Sequence, residues 1–179
     1  MMRGTADALG LDQVLVMPAH IPPHKTATTA AEHRKNMVLQ LCAEDNRLNC
    51  DDRELTSTDM SYTVHSCRDL RLQYPDDHLI FCMGADSFCS FHRWFQWQEI
   101  LQSVDIAVSN RPGFVAENPE VSGYCESSFA GEQKVIHMAL KEVPISSSEI
   151  RQMPSGSDTR AAWLTKPILK YIEENKLYL

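Results

Sequence analysis

An open, parallel α/β sheet with helices on both faces is the fold that this chain of 179 residues predicts. Two observations predict it. Short apolar runs closed by proline, glycine or a polar turn alternate with longer stretches of helical periodicity, and such runs suit strands buried on both faces. The residues just beyond the runs are polar, and an open α/β sheet takes its ligands there, outside the carboxyl ends of its strands.

In chain order, "QVLVMP" (Gln13 to Pro18) is the first strand and "RLNCDD" (Arg47 to Asp52) a weaker one. "HLIFCMG" (His78 to Gly84) and "DIAVSN" (Asp105 to Asn110) follow, and "KVIHMA" (Lys134 to Ala139) is again weaker. Between them "AAEHRKNMVLQLCAED" (Ala30 to Asp45), "SYTVHSCRDLRLQY" (Ser61 to Tyr74) and "WFQWQEILQS" (Trp94 to Ser103) carry helical patterns. "RPGFVAENPEVSGYCESSFAGEQ" (Arg111 to Gln133), rich in Gly, Pro, Ser and acids, reads as a long loop. In "KPILKYIEENKLYL" Pro167 suits a first helical position and Ile168, Tyr171 and Ile172 share a face, so a docked terminal helix is expected. There is no internal repeat, and residues 1–179 fit one domain able to bury a core without staples.

A net charge of −7 and a pI near 5.4 disfavour a nucleic-acid polymer or an anionic membrane as partner. The six cysteines show no CxxC pairing and fall partly in apolar runs, the pattern of reduced core thiols in the cytoplasm. No apolar run approaches the roughly 20 residues of a membrane span. His20 and His24 flank Ile21-Pro22-Pro23, so they cannot sit one helical turn apart, and no protein-bound metal is predicted.

The strand ends carry the chemistry. "AHIPPHK" (Ala19 to Lys25) sets His24 and Lys25 on a proline-stiffened loop, and "GADS" (Gly84 to Ser87) offers a glycine for close approach and Asp86 for sugar hydroxyls. "NRPG" (Asn110 to Gly113) offers Arg111. In "PISSSEIR" (Pro144 to Arg151), serines at a helix start add donors where free amides favour an anion, and Arg151 adds a planar fork. Each has a plainer reading: helix caps for the serines and Asp86, a solvated loop for His24 and Lys25, a surface charge for Arg111. Their recurrence at four of five strand ends favours a nucleotide site. Of the nearby indoles, Trp97 suits an amphipathic core and Trp94, just after "GADS", suits stacking on a planar ring.

The ordered set "PPHK", "RELxxxxxSYT" (Arg53 to Thr63), "GADSFxxFxxWxxWxEIL" (Gly84 to Leu101), "RPG", "ISSSxIR" and "YIxxxxLY" (Tyr171 to Tyr178) resembles bacterial nicotinate mononucleotide adenylyltransferase almost end to end. The resemblance implies a Rossmann-like nucleotidyltransferase that joins ATP and nicotinate mononucleotide into deamido-NAD, releasing pyrophosphate, with Mg²⁺ accompanying the ATP. It implies that Ser147, Ser148 and Arg151 hold the ATP phosphates, Ser148 standing where the family often has threonine. It further places Asp86 on the ribose and Thr63 and Trp94 in the nicotinate pocket, with His24, Lys25 and Arg111 near the phosphates. Lys25 and Arg151 would be the catalytic cations.

One departure shapes the expectations. The family opens with a glycine-rich first strand and loop, "GTFDPxHxGH", whereas this chain opens with "MMRGTADALGLDQ". The chain is therefore expected to be an N-terminally shortened version of a longer protein, its first, central strand missing, with the "QVLVMP" and "HLIFCMG" strands not paired to each other. A non-catalytic nucleotide-binding remnant is the alternative reading, and nicotinamide in place of nicotinate a lesser variant.

Overall fold

The structure, a computed structural model, describes residues 2–20, 29–56, 61–110, 115–130, 132–140, 145, 147–154 and 157–178. In chain order its elements are α1 (Met2–Leu9), β1 (Val14–Val16), α2 (Ala31–Cys42), β2 (Leu48–Cys50), α3 (Arg53–Thr56), α4 (Thr63–Gln73), β3 (Ile80–Gly84) and α5 (Ala85–Cys89). A 3-10 turn (Phe91–Arg93) follows, then α6 (Trp97–Ser103), β4 (Asp105–Asn110), α7 (Pro119–Ser128), β5 (Val135–Ala139), α8 (Ser147–Gln152), α9 (Asp158–Ala161) and α10 (Lys166–Glu174). All the sheet pairing among the described residues is parallel, so the α/β class expected from the alternating pattern is the one observed.

The chain divides into two compact units, residues 61–142 and residues 2–60 with 143–179. In the latter, the two-stranded unit, β1 runs beside β2 with Val14 opposite Leu48 and Val16 opposite Cys50. The terminal helix docks as its apolar face predicts. Ile172 of α10 is buried, and the Tyr171 hydroxyl lies 2.9 Å from His33 Nδ1 while accepting from Asn36 Nδ2 of α2, also at 2.9 Å.

In the three-stranded unit the order is β3-β4-β5, with Ile80 opposite Asp105 and Ile106 opposite Val135. The central strand explains its own sequence: Ile106, Ala107 and Val108 are successive apolar residues, all fully buried, as a strand covered on both faces requires. Around it close Val64 and Cys67 of α4, Phe88 of α5, Phe91, and Ile100 and Leu101 of α6.

Three expectations need correction. The stretch read as a long loop contains the ten-residue helix α7. Asn118 caps it by accepting from the Val121 amide at 3.3 Å, Pro119 begins it, and Val121 is fully buried; the cap signal was present but was outweighed by glycine and serine content. The helix expected from Trp94 starts instead at Trp97, because Gln96 takes a left-handed conformation (φ 51°) that interrupts any helix running from Trp94. Of the cysteines, all free, only Cys67 is buried, while Cys82 and Cys89 are exposed. No helix among the described residues is long and apolar enough to cross a membrane.

Candidate functional site

At the carboxyl end of the three-stranded sheet, β3 ends at Gly84 and α5 begins at once, so Asp86 lies exposed in the first turn of a helix. Gly84 has an ordinary extended conformation (φ −79°, ψ 159°), and a Cβ there would meet no protein atom within 4 Å. Neither backbone geometry nor packing among the described residues thus demands glycine at this position.

β4 ends at Asn110, which is buried with its amide in use. Its Oδ1 accepts from the Ala116 amide at 3.0 Å and its Nδ2 donates to His137 Nδ1 at 3.1 Å. Asn118, also buried, donates from Nδ2 to the Phe88 carbonyl at 2.7 Å. Of the two buried asparagines, Asn110 is fastened to β5 and Asn118 to α5, and buried amides left unbonded would be costly. Neither was singled out in the sequence, where an isolated Asn carries no signal of burial.

Thr63 is half-buried at the first position of α4, whose cap residue is Tyr62. Tyr62 packs against Phe95 with ring centroids 4.8 Å apart, and His65 joins them edge-on at 5.9 Å from Tyr62 and 6.3 Å from Phe95. Trp94 is half-buried, edge-to-face with Phe91 at 5.5 Å and Phe81 at 6.1 Å. Trp97 is edge-on to Phe91 at 6.0 Å and to Tyr124 at 5.1 Å. The two indoles share Phe91 as a common prop. Thr63, Asp86 and Trp94 all belong to this unit.

Ser147, Ser148 and Arg151 belong to the two-stranded unit, all exposed on the short helix α8. Arg151 Nη1 is 3.5 Å from Ser147 Oγ, at the outer limit of a hydrogen bond, and its guanidinium carbon lies 5.7 Å from the centre of the Tyr178 ring. His24, Lys25 and Arg111 lie outside the described residues. The chain on both sides of residues 21–28 is nevertheless fastened. Arg34 of α2 donates to the carbonyls of Ala19, His20 (2.6 Å) and Thr29 (3.3 Å). Arg34 and the buried Arg160 are residues that sequence reasoning passed over, because a guanidinium serving carbonyls looks in sequence like any surface arginine.

Among the described residues no group of three His, Cys, Asp or Glu side chains is placed to hold a metal ion. The three-stranded unit thus carries a hydroxyl, a carboxylate and aromatic faces at its strand and helix ends, and the two-stranded unit carries two serine hydroxyls and a guanidinium on α8.

Comparison with known proteins adds lineage to this geometry. Residues 1–153 match the cytidylyltransferase-like family. A probable nicotinate-nucleotide adenylyltransferase of Psychromonas ingrahamii is 34% identical over 96% of this chain and 86% of its own length. One of Shewanella frigidimarina is 34% identical over 95% of this chain and 87% of its own. Among solved structures, the nicotinic acid mononucleotide adenylyltransferase of Plasmodium falciparum complexed with NaAD superposes with a TM-score of 0.75, covering 99% of this chain and 89% of that one at 16% identity. The last likeness is one of fold.

Proposed function

We propose, from the premise that this chain belongs to the cytidylyltransferase-like family and within it to the nicotinate-nucleotide adenylyltransferases, that it transfers the adenylyl group of ATP to nicotinate mononucleotide in NAD biosynthesis. The observation that carries this is the 34% identity to a probable nicotinate-nucleotide adenylyltransferase across 96% of the chain. In the reaction a phosphate oxygen of the mononucleotide attacks the α-phosphorus of ATP. The bond from that phosphorus to the bridging oxygen breaks, and pyrophosphate leaves with the electron pair.

Because the mononucleotide supplies the nucleophile, the protein needs no covalent catalyst. Its work is to align two anions and to neutralise the charge that repels them. In this reading Ser147 and Ser148 donate to the ATP phosphates, and Arg151 adds a charge-assisted fork that Lys25, His24 and Arg111 reinforce. Asp86 accepts from ribose hydroxyls at the end of β3. Thr63 and the face of Trp94 bound the nicotinate ring. Mg²⁺ would arrive on the ATP phosphates and supply further neutralisation there. Residues 1–179 would serve as one nucleotidyltransferase domain.

The test is a coupled assay of pyrophosphate release with ATP and either nicotinate or nicotinamide mononucleotide. Turnover with the acid and little with the amide is expected; binding of ATP without turnover would favour the non-catalytic reading. Arg151→Ala should weaken the use of ATP about 10- to 100-fold, the worth of a charge-assisted contact of roughly 1.5–3 kcal/mol. Unchanged kinetics in that variant would reduce the serine-arginine segment to a helix start.

A further inference from the structure

The terminal motif from Tyr171 to Tyr178 plays no part in adenylyl transfer as described above. Tyr171 is accounted for by its docking on α2, but Tyr178 is not. Its ring lies beside the Arg151 guanidinium, 5.7 Å from ring centre to carbon, and its carbonyl accepts from Arg160 Nη2 at 3.3 Å. The same Nη2 donates to the carbonyl of Arg151 at 3.2 Å and to that of Met153.

Arg160 is only 2% exposed, and its Nε and Nη1 are buried with no partner among the described residues. Burying a guanidinium is expensive unless dipoles compensate it, and here one nitrogen meets three carbonyls. Those carbonyls come from the end of α8 and from the chain terminus, so one buried cation locks two segments together at the helix end where carbonyl dipoles favour positive charge. Ser147 Oγ, 3.5 Å from Nη1, is too distant to hold the Arg151 side chain firmly. Orientation of that guanidinium therefore falls to the Tyr178 ring, and the place of the ring to Arg160.

We propose that Tyr178 and Arg160 are positioning residues for Arg151: Arg160 fixes the backbone of both partners, and the Tyr178 ring holds the Arg151 fork extended for the ATP phosphates. The proposal rests on the reading of Arg151 as a phosphate ligand. Its test is titration of the full chain with Mg-ATP, using the wild type and Tyr178→Leu, Tyr178→Phe, Arg160→Lys and Arg151→Ala variants. Tyr178→Leu and Arg160→Lys are also combined with Arg151→Ala.

Tyr178→Leu is expected to weaken ATP binding about 2- to 5-fold, the worth of an exposed cation–π contact, while Tyr178→Phe, which keeps the ring, binds as the wild type does. In the Arg151→Ala background neither Tyr178→Leu nor Arg160→Lys should weaken binding further. A merely structural role would persist in that background and would not be rescued by phenylalanine, and either result overturns the proposal. Wild-type affinity in Arg160→Lys removes Arg160 from it. Arg151→Ala binding ATP as the wild type does would sink the phosphate reading and this one together. Weakened Arg151→Ala with unchanged Tyr178→Leu would sink this one alone.

Discussion

The two units of the chain are held together in different ways. In the three-stranded unit Phe88, Phe91, Ile100, Leu101, Ile106 and Val108 are all at most 2% exposed and form one continuous cluster. In the two-stranded unit the described apolar residues that are buried are Ala6, Val16, Leu48 and Ile172, and a series of ion pairs runs over its surface: Arg3–Glu44, Lys35–Asp52, Arg47–Asp7, Arg47–Asp45 and Arg53–Asp51. Among the described residues, those proposed for ring and ribose stand on the apolar unit, and those proposed for phosphate, Ser147, Ser148 and Arg151, stand on the charged one. A flat ring is selected by shape, which needs walls that do not yield. A phosphate is selected by charge and donors, which exposed side chains on short elements can supply.

The largest expected effect tests the apolar side of this contrast. Phe91 is fully buried and props both Trp94 and Trp97, so Phe91→Ala should cost about 3–5 kcal/mol in denaturant unfolding. Leu48→Ala, in a smaller core whose neighbours can relax into the space, should cost nearer the lower end of the 2–5 kcal/mol range for such truncations, about 2 kcal/mol. Equal costs would erase the distinction between the units.

Next in size are the tryptophans. Trp94→Ala should raise the KM for the mononucleotide by the equivalent of about 1–3 kcal/mol of stacking, with little change in the KM for ATP. Trp97→Ala, which removes contacts to Phe91 and Tyr124, should instead lower the melting temperature. Since both indoles are half-buried and rest on the same phenylalanine, the assignment is sharp: substrate affinity moved by Trp97 and stability alone by Trp94 would reverse it.

What the sequence disclosed follows the same division. The strong runs at His78–Gly84 and Asp105–Asn110 announced β3 and β4; in β4 burial on both faces writes itself as unbroken hydrophobicity, whereas in β3 Cys82 is exposed and only Met83 is buried. The start of α8 at the serines was also legible, since hydroxyls before a helix have a local cause. α7 was not, although Asn118-Pro119 is a fair start signal: its buried face reduces to Val121, too little for periodicity to reveal. Nor could Arg34 and Arg160 be read, because their partners are carbonyls, and every residue has one. Asp86, Trp94, Ser147, Ser148 and Arg151 stood out as candidates by their places beyond the apolar runs, while Thr63 stood out only through the ordered motif around it, since a single half-buried threonine leaves no periodic trace.

The smallest expected effect concerns acid. Two hydrogen bonds from the Arg47 guanidinium, a third from its backbone amide and the nearby charge hold the Asp45 carboxyl at about 2, below its ordinary 3.8. The bond from Lys35 lowers that of Asp52 as well. A carboxyl with a folded value below its unfolded one gives stability that is fully present above about pH 4, because the unfolded chain binds more protons below that point. The contribution fades as pH falls through the folded value near 2. The three-stranded unit has a counterpart in Glu99, lowered by Arg68, but its apolar core does not titrate. Amides of β1 and β2 should therefore lose exchange protection between pH 4 and pH 2 before those of β3, β4 and β5 do. The shift should be modest and salt-sensitive, because these pairs lie near the surface. Asp45→Asn should flatten the loss for β1 and β2 in that window and leave the other strands unaltered. If all five strands lose protection together and Asp45→Asn alters nothing, these ion pairs do not hold the two-stranded unit, and its stability must come from the few buried contacts around Val16, Leu48 and Ile172.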